Sequence, residues 1–306
     1  MLSGKRRQQL RNLSLAPYQL YPEASQLSAS FLGEPRGTYR ITRTTPICSM
    51  GSCFAREIKK YLILQRYRYV QTENNRWSSH ASCSWERVYT AANALEIANY
   101  TVSQELPPAR IYPHGSRYVD LLRNKVAYES REEAENDIRV HLRASKAALE
   151  TCELCIFTVG QNEVWRSRSG GFFFANRPPQ SWIDSQDAEL AQLSVEENLL
   201  CLRKFRELLR QINPNLRLLL TLSPVPSLAT FYDANVVLRS VLNKSILRLA
   251  LERFVQECGD DVIYFPSYEI VQSWRGDPFL ADNRHVKPKV VSAIMKAFFF
   301  AYAAER

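Results

Sequence analysis

Thr45-Pro46-Ile47-Cys48-Ser49-Met50-Gly51-Ser52-Cys53-Phe54-Ala55 is the stretch from which the rest of this 306-residue chain can be read. Thr45 to Cys48 reads as the end of a short apolar strand. Gly51 supplies a tight turn that a residue bearing a Cβ makes only at a cost. From Cys53 to Leu64 apolar residues recur at helical spacing. Phe54, Ile58, Tyr61 and Leu62 share one face, and Arg56, Glu57, Lys59 and Lys60 share the other. A strand-Gly-helix turn of this kind stands at the carboxyl edge of a sheet. It is also a helix N-terminus, where partial positive charge favours a thiolate or an oxyanion. Two nucleophile candidates lie side by side in it, Ser52 and Cys53. Such a turn can equally do no more than redirect the chain, so the chemistry must come from elsewhere in the sequence.

Strands and helices alternate downstream. Residues 66–70 alternate as a second strand, 72–84 form a polar loop carrying His80, and 85–100 are helical with Val88, Ala91, Ala92, Leu95 and Ala98 inward. Pro107-Pro108 breaks the chain, 111–128 is a mixed excursion, and 131–149 is an amphipathic helix on which His141 reads as solvated. His114 follows Pro113 and reads as a turn residue. Leu154 to Val159 is continuously apolar, as a strand covered on both faces must be. It runs into Gly160-Gln161-Asn162-Glu163, and Gly170-Gly171 then turns into Phe172-Phe173-Phe174 as a small hairpin. Ser194 and Glu197 form a capping box for a helix over 195–212. A strand over 216–222 closes on Ser223-Pro224, and a helix over 234–258 ends at Gly259. The last strand is 262–266, and the last helix is 286–302 with Pro288 in its first turn. This order predicts an α/β fold: a three-layer α/β/α, doubly wound, mainly parallel sheet of the flavodoxin-like kind. The turns at Gly51, Gly160, Ser223 and Pro266 should then meet at one edge. Residues 1–44 read as an irregular N-terminal arm packed on the domain through Tyr18, Tyr21, Phe31 and Tyr39, and 45–306 as the catalytic domain.

Composition narrows the function classes. No apolar run approaches the roughly 20 residues of a membrane helix, and the basic N-terminus lacks the apolar segment of a secretory signal. Seven cysteines at irregular spacings suggest reduced thiols, a cytoplasmic location, and neither a disulfide framework nor a metal site. The net charge of +9 has dense spots at Lys5-Arg6-Arg7 with Arg11, and at Arg36, Arg40 and Arg43. Neither is interleaved with aromatics, so nucleic acid is not expected as a partner. A solvated surface or attraction for an anionic substrate or carrier accounts for the charge.

Asp282-Asn283-Arg284-His285 precedes the last helix. An Asp three residues before a His can hold one imidazole nitrogen and leave the other for a nucleophile. The same pair can also merely cap a helix. Gly160-Gln161-Asn162 at the end of a buried strand offers an amide to an oxyanion, a contact worth about 3–4 kcal/mol in the transition state, or to local turn carbonyls.

With these blocks in view, Gly51-Ser52-Cys53-Phe54-Ala55 resembles the motif from which GSCFA-domain proteins take their name, and that family resembles the SGNH (GDSL-like) hydrolases. Leu222-Ser223-Pro224-Val225, Tyr264 to Ile270 and Asp282 to His285 support the likeness, which runs from about Thr45 to the C-terminus. Under it, Gly51 keeps its place, Ser52 stands where the superfamily has Asp, and Cys53 falls on the nucleophilic Ser. Gly160 and Asn162 fit the third block, with Glu163 for its Asp, and Asp282 and His285 fit the last. The second block's oxyanion Gly has no counterpart between Asn74 and Trp85.

The resemblance implies a Cys53-His285-Asp282 triad. It implies acyl transfer through a thioester on Cys53 to a hydroxyl or amine of a sugar or specialised metabolite, as in bacterial capsule-biosynthesis acetyltransferases that look similar in carrying Cys in this turn. Asn162, Gly160 and turn amides around Gly51, Ser52 and Cys53 would hold the oxyanion, with Ser52 a substrate or oxyanion contact first and a nucleophile second. His80 and Lys244 are substrate-contact candidates, although Lys244 is equally at home on a solvated helix face. No permanently bound cofactor or metal is expected, and an acyl-CoA or other acyl thioester fits as co-substrate. Beside His285 and a helix N-terminus, the thiol should ionise below the ordinary value of about 8.5. An SGNH-type ester hydrolase or deacylase, and a non-catalytic binding protein on the same fold, are the alternatives. The oligomeric state is left open.

Overall fold

The computed structural model describes residues 39–106 and 110–304, together with Gln19 and Tyr21. In chain order, β1 (Ile47–Gly51) leads into α1 (Cys53–Leu64), and α2 (Ala91–Ser103) follows a long loop. A small antiparallel sheet of β2 (Ile111–His114), β3 (Arg117–Asp120) and β4 (Ala127–Tyr128) precedes α3 (Arg131–Thr151). Then come β5 (Leu154–Val159), β6 (Glu163–Ser167), β7 (Phe173–Phe174), α4 (Gln180–Asp184), β8 (Ala188–Gln192) and α5 (Val195–Ile212). The chain finishes with β9 (Arg217–Leu222), α6 (Val236–Cys258), β10 (Val262–Tyr264), α7 (Ser267–Gln272) and α8 (Pro288–Tyr302).

The main sheet is parallel throughout, in the order β1-β5-β9-β10. Side chains alternate across it. Cys48, Met50, Phe157, Leu218 and Leu220 join one apolar layer with α2, α5 and α6, while Ile47, Ile156, Leu219 and Ile263 join another with α1, α7 and α8. Helices cover both faces, which explains why these strands read as continuous apolar runs. The three-layer α/β expectation is met.

The segment expected as a second strand, 66–70, contributes only a parallel bridge at Tyr69 beside Ile47. Two hydrogen bonds hold it, Ile47 N to Arg68 O at 2.9 Å and Val70 N to Ile47 O at 2.8 Å. Counted as an edge, it gives the order 2-1-3-4-5, with the reversal between β1 and β5. Ligands sit at that reversal in doubly wound sheets.

The helix expected over 85–100 begins only at Ala91, capped by Thr90, whose Oγ1 accepts from Asn93 N at 3.0 Å. Glu86 takes a left-handed backbone at φ +57°. The preceding backbone is committed to the sheet edge instead: Ser82 N donates to Ser49 O at 3.0 Å and Val88 N to Gly51 O at 2.9 Å. Tyr89 O then accepts from Gly160 N at 2.8 Å and Gln161 N at 2.9 Å, stitching β1 to β5 where the site forms. The hairpin expected at Phe172–Phe174 belongs to an antiparallel sheet ordered β7-β6-β8. Of the N-terminal arm, Ile41 N donates to Tyr302 O at 2.7 Å and Tyr39 packs against the apolar layer of α8, whereas Tyr21 is exposed. Tyr18, Phe31 and Pro107-Pro108 lie outside the described residues.

Candidate active site

β1 ends pressed onto β5. Gly51 faces Thr158 in register and has φ +140°, and a Cβ there would lie 2.5 Å from Thr158 O and 2.7 Å from Thr158 Cβ. Ser52 N donates to Thr158 O at 3.0 Å. The Ser52 side chain is buried and caps α1, its Oγ accepting from Phe54 N at 3.4 Å. Cys53 is therefore the first helical residue. Gly160 closes in from β5: a Cβ there would sit 3.2 Å from Ser52 Cβ and 3.5 Å from Ser223 Cβ. The ends of β1, β5 and β9 meet as the alternating pattern predicts, and Ser267 after β10 joins them through its Oγ, which donates to Leu222 O at 3.0 Å.

Above this junction opens a cavity of ≈ 470 Å³ whose wall includes Ser52, Cys53, Gly160, Ser223, Arg284 and His285. His285 Nδ1 is hydrogen-bonded to Asp282 Oδ2. The other Asp282 oxygen accepts from the amides of Arg284 at 3.1 Å and His285 at 3.0 Å. The imidazole's bond to Asp282, followed by those amides, holds the carboxyl down at about 2. The loop is closed on itself by Leu280 N donating to His285 O at 2.7 Å, so the ring is presented to the cavity with Nε2 unclaimed by Asp282. Two distant segments thus meet at one cavity, the β1–α1 turn with Cys53 and the 282–285 loop with His285 backed by Asp282.

The thiol departs from expectation. Cys53 is half-buried, and desolvation raises its pKa; Arg87, Arg284 and Lys244 pull it down without cancelling the shift. No hydrogen bond joins Cys53 to His285. At neutral pH Cys53 is a thiol. Second-order alkylation by iodoacetamide should accordingly rise with a midpoint above about 8.5, the value of an ordinary thiol. A rate profile with a midpoint at or below that value would contradict this assignment.

Three other candidate residues have duties away from the cavity. Asn162 is fully buried and absent from the wall; its Nδ2 donates to Leu193 O at 3.0 Å, while Leu193 N donates to Asn162 O at 2.9 Å. Its amide ties the β5–β6 turn to the start of α5, so it is not positioned as the oxyanion donor. His80 is buried outside the wall, hydrogen-bonded to Ser79 Oγ at 2.7 Å, and its pKa falls to about 4 through burial and then through Arg87 and Arg56. Lys244 is neither solvated nor in the cavity wall. It is buried under the junction, donating to Gly160 O at 2.9 Å and Ser223 O at 2.8 Å, and burial lowers its pKa to about 7.

The wall also holds residues that sequence reasoning passed over: Arg87, Tyr89, Lys125 and Arg177. Arg87 and Tyr89 were concealed in a segment that reads as helix. Arg284 stood inside the Asp-to-His block without a role; its guanidinium donates to Pro226 O at 3.1 and 3.3 Å. Arg87 Nε is buried with no hydrogen-bond partner. Among the described residues the one carboxylate in the wall, Glu163, is paired with Arg239 at 3.2 Å and accepts from Thr230 Oγ1 at 2.8 Å, so these residues make the cavity net cationic.

The sequence profile of the GSCFA family matches residues 46–298, from the residue before β1 to the last helix. The chain belongs to the GSCFA family. No curated protein shows detectable similarity to it. In this GSCFA protein each residue of the eponymous motif has a physical reason: Gly51 for close approach to β5, Ser52 for the cap, Cys53 for the wall, and Phe54 and Ala55 for the buried face of α1. Among the described residues no helix is long and apolar enough to cross a membrane, and no cluster of His, Cys, Asp and Glu is grouped to hold a metal.

Proposed function

We propose that this GSCFA protein is an acyl-transfer enzyme that works through an acyl thioester on Cys53, on a fold related to the SGNH hydrolases. The observation that carries the reading is a single cationic cavity walled by the Cys53 turn and by an imidazole already paired with a carboxylate. His285 Nε2 takes the Cys53 proton as sulfur attacks the acyl carbon of the donor, because the half-buried thiol does not ionise unaided. Asp282 orients the ring and stabilises the imidazolium. Ser52 N is already engaged, which makes the Cys53 amide the turn's remaining donor to the oxyanion, and Arg87 supplies charge beside it. Collapse of the tetrahedral intermediate expels the donor's leaving group, which receives the proton from His285. The imidazole then deprotonates an acceptor hydroxyl or amine, which attacks the thioester and releases Cys53. A cytoplasmic enzyme meeting a soluble acyl thioester such as acyl-CoA and a sugar or metabolite acceptor suits this chemistry.

Hydrolysis is the second reading, favoured by His285 being half exposed, so that water reaches the position an acceptor would occupy. Intact-mass analysis after incubation with acyl thioesters tests the first. A hydroxylamine-labile acyl adduct on the Cys53 peptide is expected, discharged faster by an acceptor than by water. An adduct on Ser52, or one stable to hydroxylamine, rejects the thioester; discharge by water alone moves the assignment to a hydrolase.

A further inference from the structure

A second cavity, ≈ 410 Å³, adjoins the first and shares Lys125, Phe174, Asn176 and Arg177 with it as a common wall. Its lining comes from the β2-β3-β4 sheet and from the chain after β7, insertions outside the main sheet. Its charge is one-sided. Asp120 is its single carboxylate, and it is fully engaged by Arg110 at 2.9 and 2.8 Å and by Arg123 at 2.7 Å. Arg110 and Arg123 overcome its burial and hold it well below the usual carboxylate range. Together with Asp137, which Arg123 also contacts at 2.6 Å, it neutralises those two arginines and leaves no negative charge for the cavity.

Lys125 stands differently. It is exposed, and among the described residues its ammonium group makes no hydrogen bond or ion pair, acting only at longer range on Glu86 and His80. It occupies the turn between β3 and β4 with a left-handed backbone at φ +62°, which is uncommon for a residue with a Cβ and is retained where surroundings enforce it. The enforcing contacts are visible: Asp120 N donates to Val126 O at 3.1 Å, and the flanking Asn124 and Val126 are buried. Asn124 Oδ1, facing the first cavity's side of this turn, is buried without a partner. Arg177, across the shared wall, donates to Gln180 Oε1 and keeps further N–H groups. A guanidinium fork and an ammonium beside one opening match the several oxygens of a phosphate better than the two of a carboxylate.

We propose that Lys125 and Arg177 form a distal subsite for the phosphate-bearing end of an extended substrate, bound across both cavities. The orientation rests on the acyl-transfer reading, with the acyl end at Cys53. The phosphate can belong to a CoA-type donor or to a phosphorylated sugar acceptor, and the subsite's chemistry is the same for both.

Calorimetric titration of the full chain with inorganic pyrophosphate tests the subsite. Pyrophosphate binds the wild-type protein, and the Lys125→Glu, Arg177→Glu double variant weakens it at least tenfold. The same charge reversal at Lys60 and Lys146, outside both cavities, leaves it unchanged, and the Lys125→Met, Arg177→Met pair repeats the loss if the reversed charges harm folding. Displacement of pyrophosphate by coenzyme A places the phosphate on the donor, and displacement by a sugar 1-phosphate places it on the acceptor. Absence of binding, or binding that survives both double variants, overturns the subsite. Wild-type protein incubated with the uncharged donor S-acetyl-N-acetylcysteamine separates the two readings. Acylation of Cys53 without pyrophosphate binding removes the subsite alone, and pyrophosphate binding with no acylation by any donor removes the acyl-transfer reading alone.

Discussion

Cys53→Ala abolishes turnover, with a loss of about 10³-fold or more, the usual scale for removing a nucleophile whose base and orienter remain. The far-ultraviolet spectrum and urea midpoint stay close to wild type, because the change deletes one half-buried sulfur from the cavity wall. Ser52→Ala behaves otherwise. The Ser52 hydroxyl is buried and spent on Phe54 N, so its loss costs about 1 kcal/mol of stability as a missing cap and leaves a measurable rate. Steady-state kinetics of the two variants beside wild type decide the matter. An active Cys53→Ala with a dead Ser52→Ala would hand the nucleophile's role to the serine.

Gly51→Ala has the largest expected effect on stability, about 3–5 kcal/mol, since it combines overpacking with a forced backbone change. The new Cβ would fall 2.5 Å from Thr158 O, a backbone atom that itself accepts from Ser52 N. Neither neighbour can yield: β1 and β5 are paired from Ile47↔Leu154 to Gly51↔Thr158, and φ +140° is closed to alanine at low energy. Gly115→Ala is the control. It too has a positive φ, but nothing lies within 4 Å of its Cβ position, so only the backbone penalty of about 1 kcal/mol applies. Equilibrium urea unfolding of both variants checks the pair, and a Gly51→Ala loss no larger than that of Gly115→Ala would mean the two strands separate more freely than their contact implies.

Local features were legible wherever the physical cause lies within one turn or one strand. Cys53–Leu64, Leu154–Val159 and Val195–Ile212 follow apolar periodicity and caps to the residue. Periodicity names the residues that share a face, but not what that face will meet. Lys59 sits on the charged side of α1 and is nonetheless buried, donating to Ser78 O at 2.8 Å and Ala81 O at 3.0 Å. His141 reads as solvated and is buried against Glu73 Oε2 at 2.7 Å. In both cases the 72–84 loop folds back over a helix and brings acceptors that no local pattern announces. Residues 85–90 reverse the case: apolar spacing suggests helix, but two backbone groups, Val88 N and Tyr89 O, have better partners at the ends of β1 and β5.

The sequence by itself determined the alternation of strands and helices, the Gly51 turn with its thiol, and the Asp282–His285 pair. All of these rest on contacts between near neighbours in the chain. Only the tertiary structure decided that Asn162 and Lys244 would hold the strand ends together outside the cavity, and that Arg87, Lys125 and Arg177 would line it. It also decided that Cys53 would be a neutral thiol. The physical reason is desolvation. Whether a polar group faces water, a ligand or a carbonyl depends on which distant segment covers it, and its charge state follows from that cover.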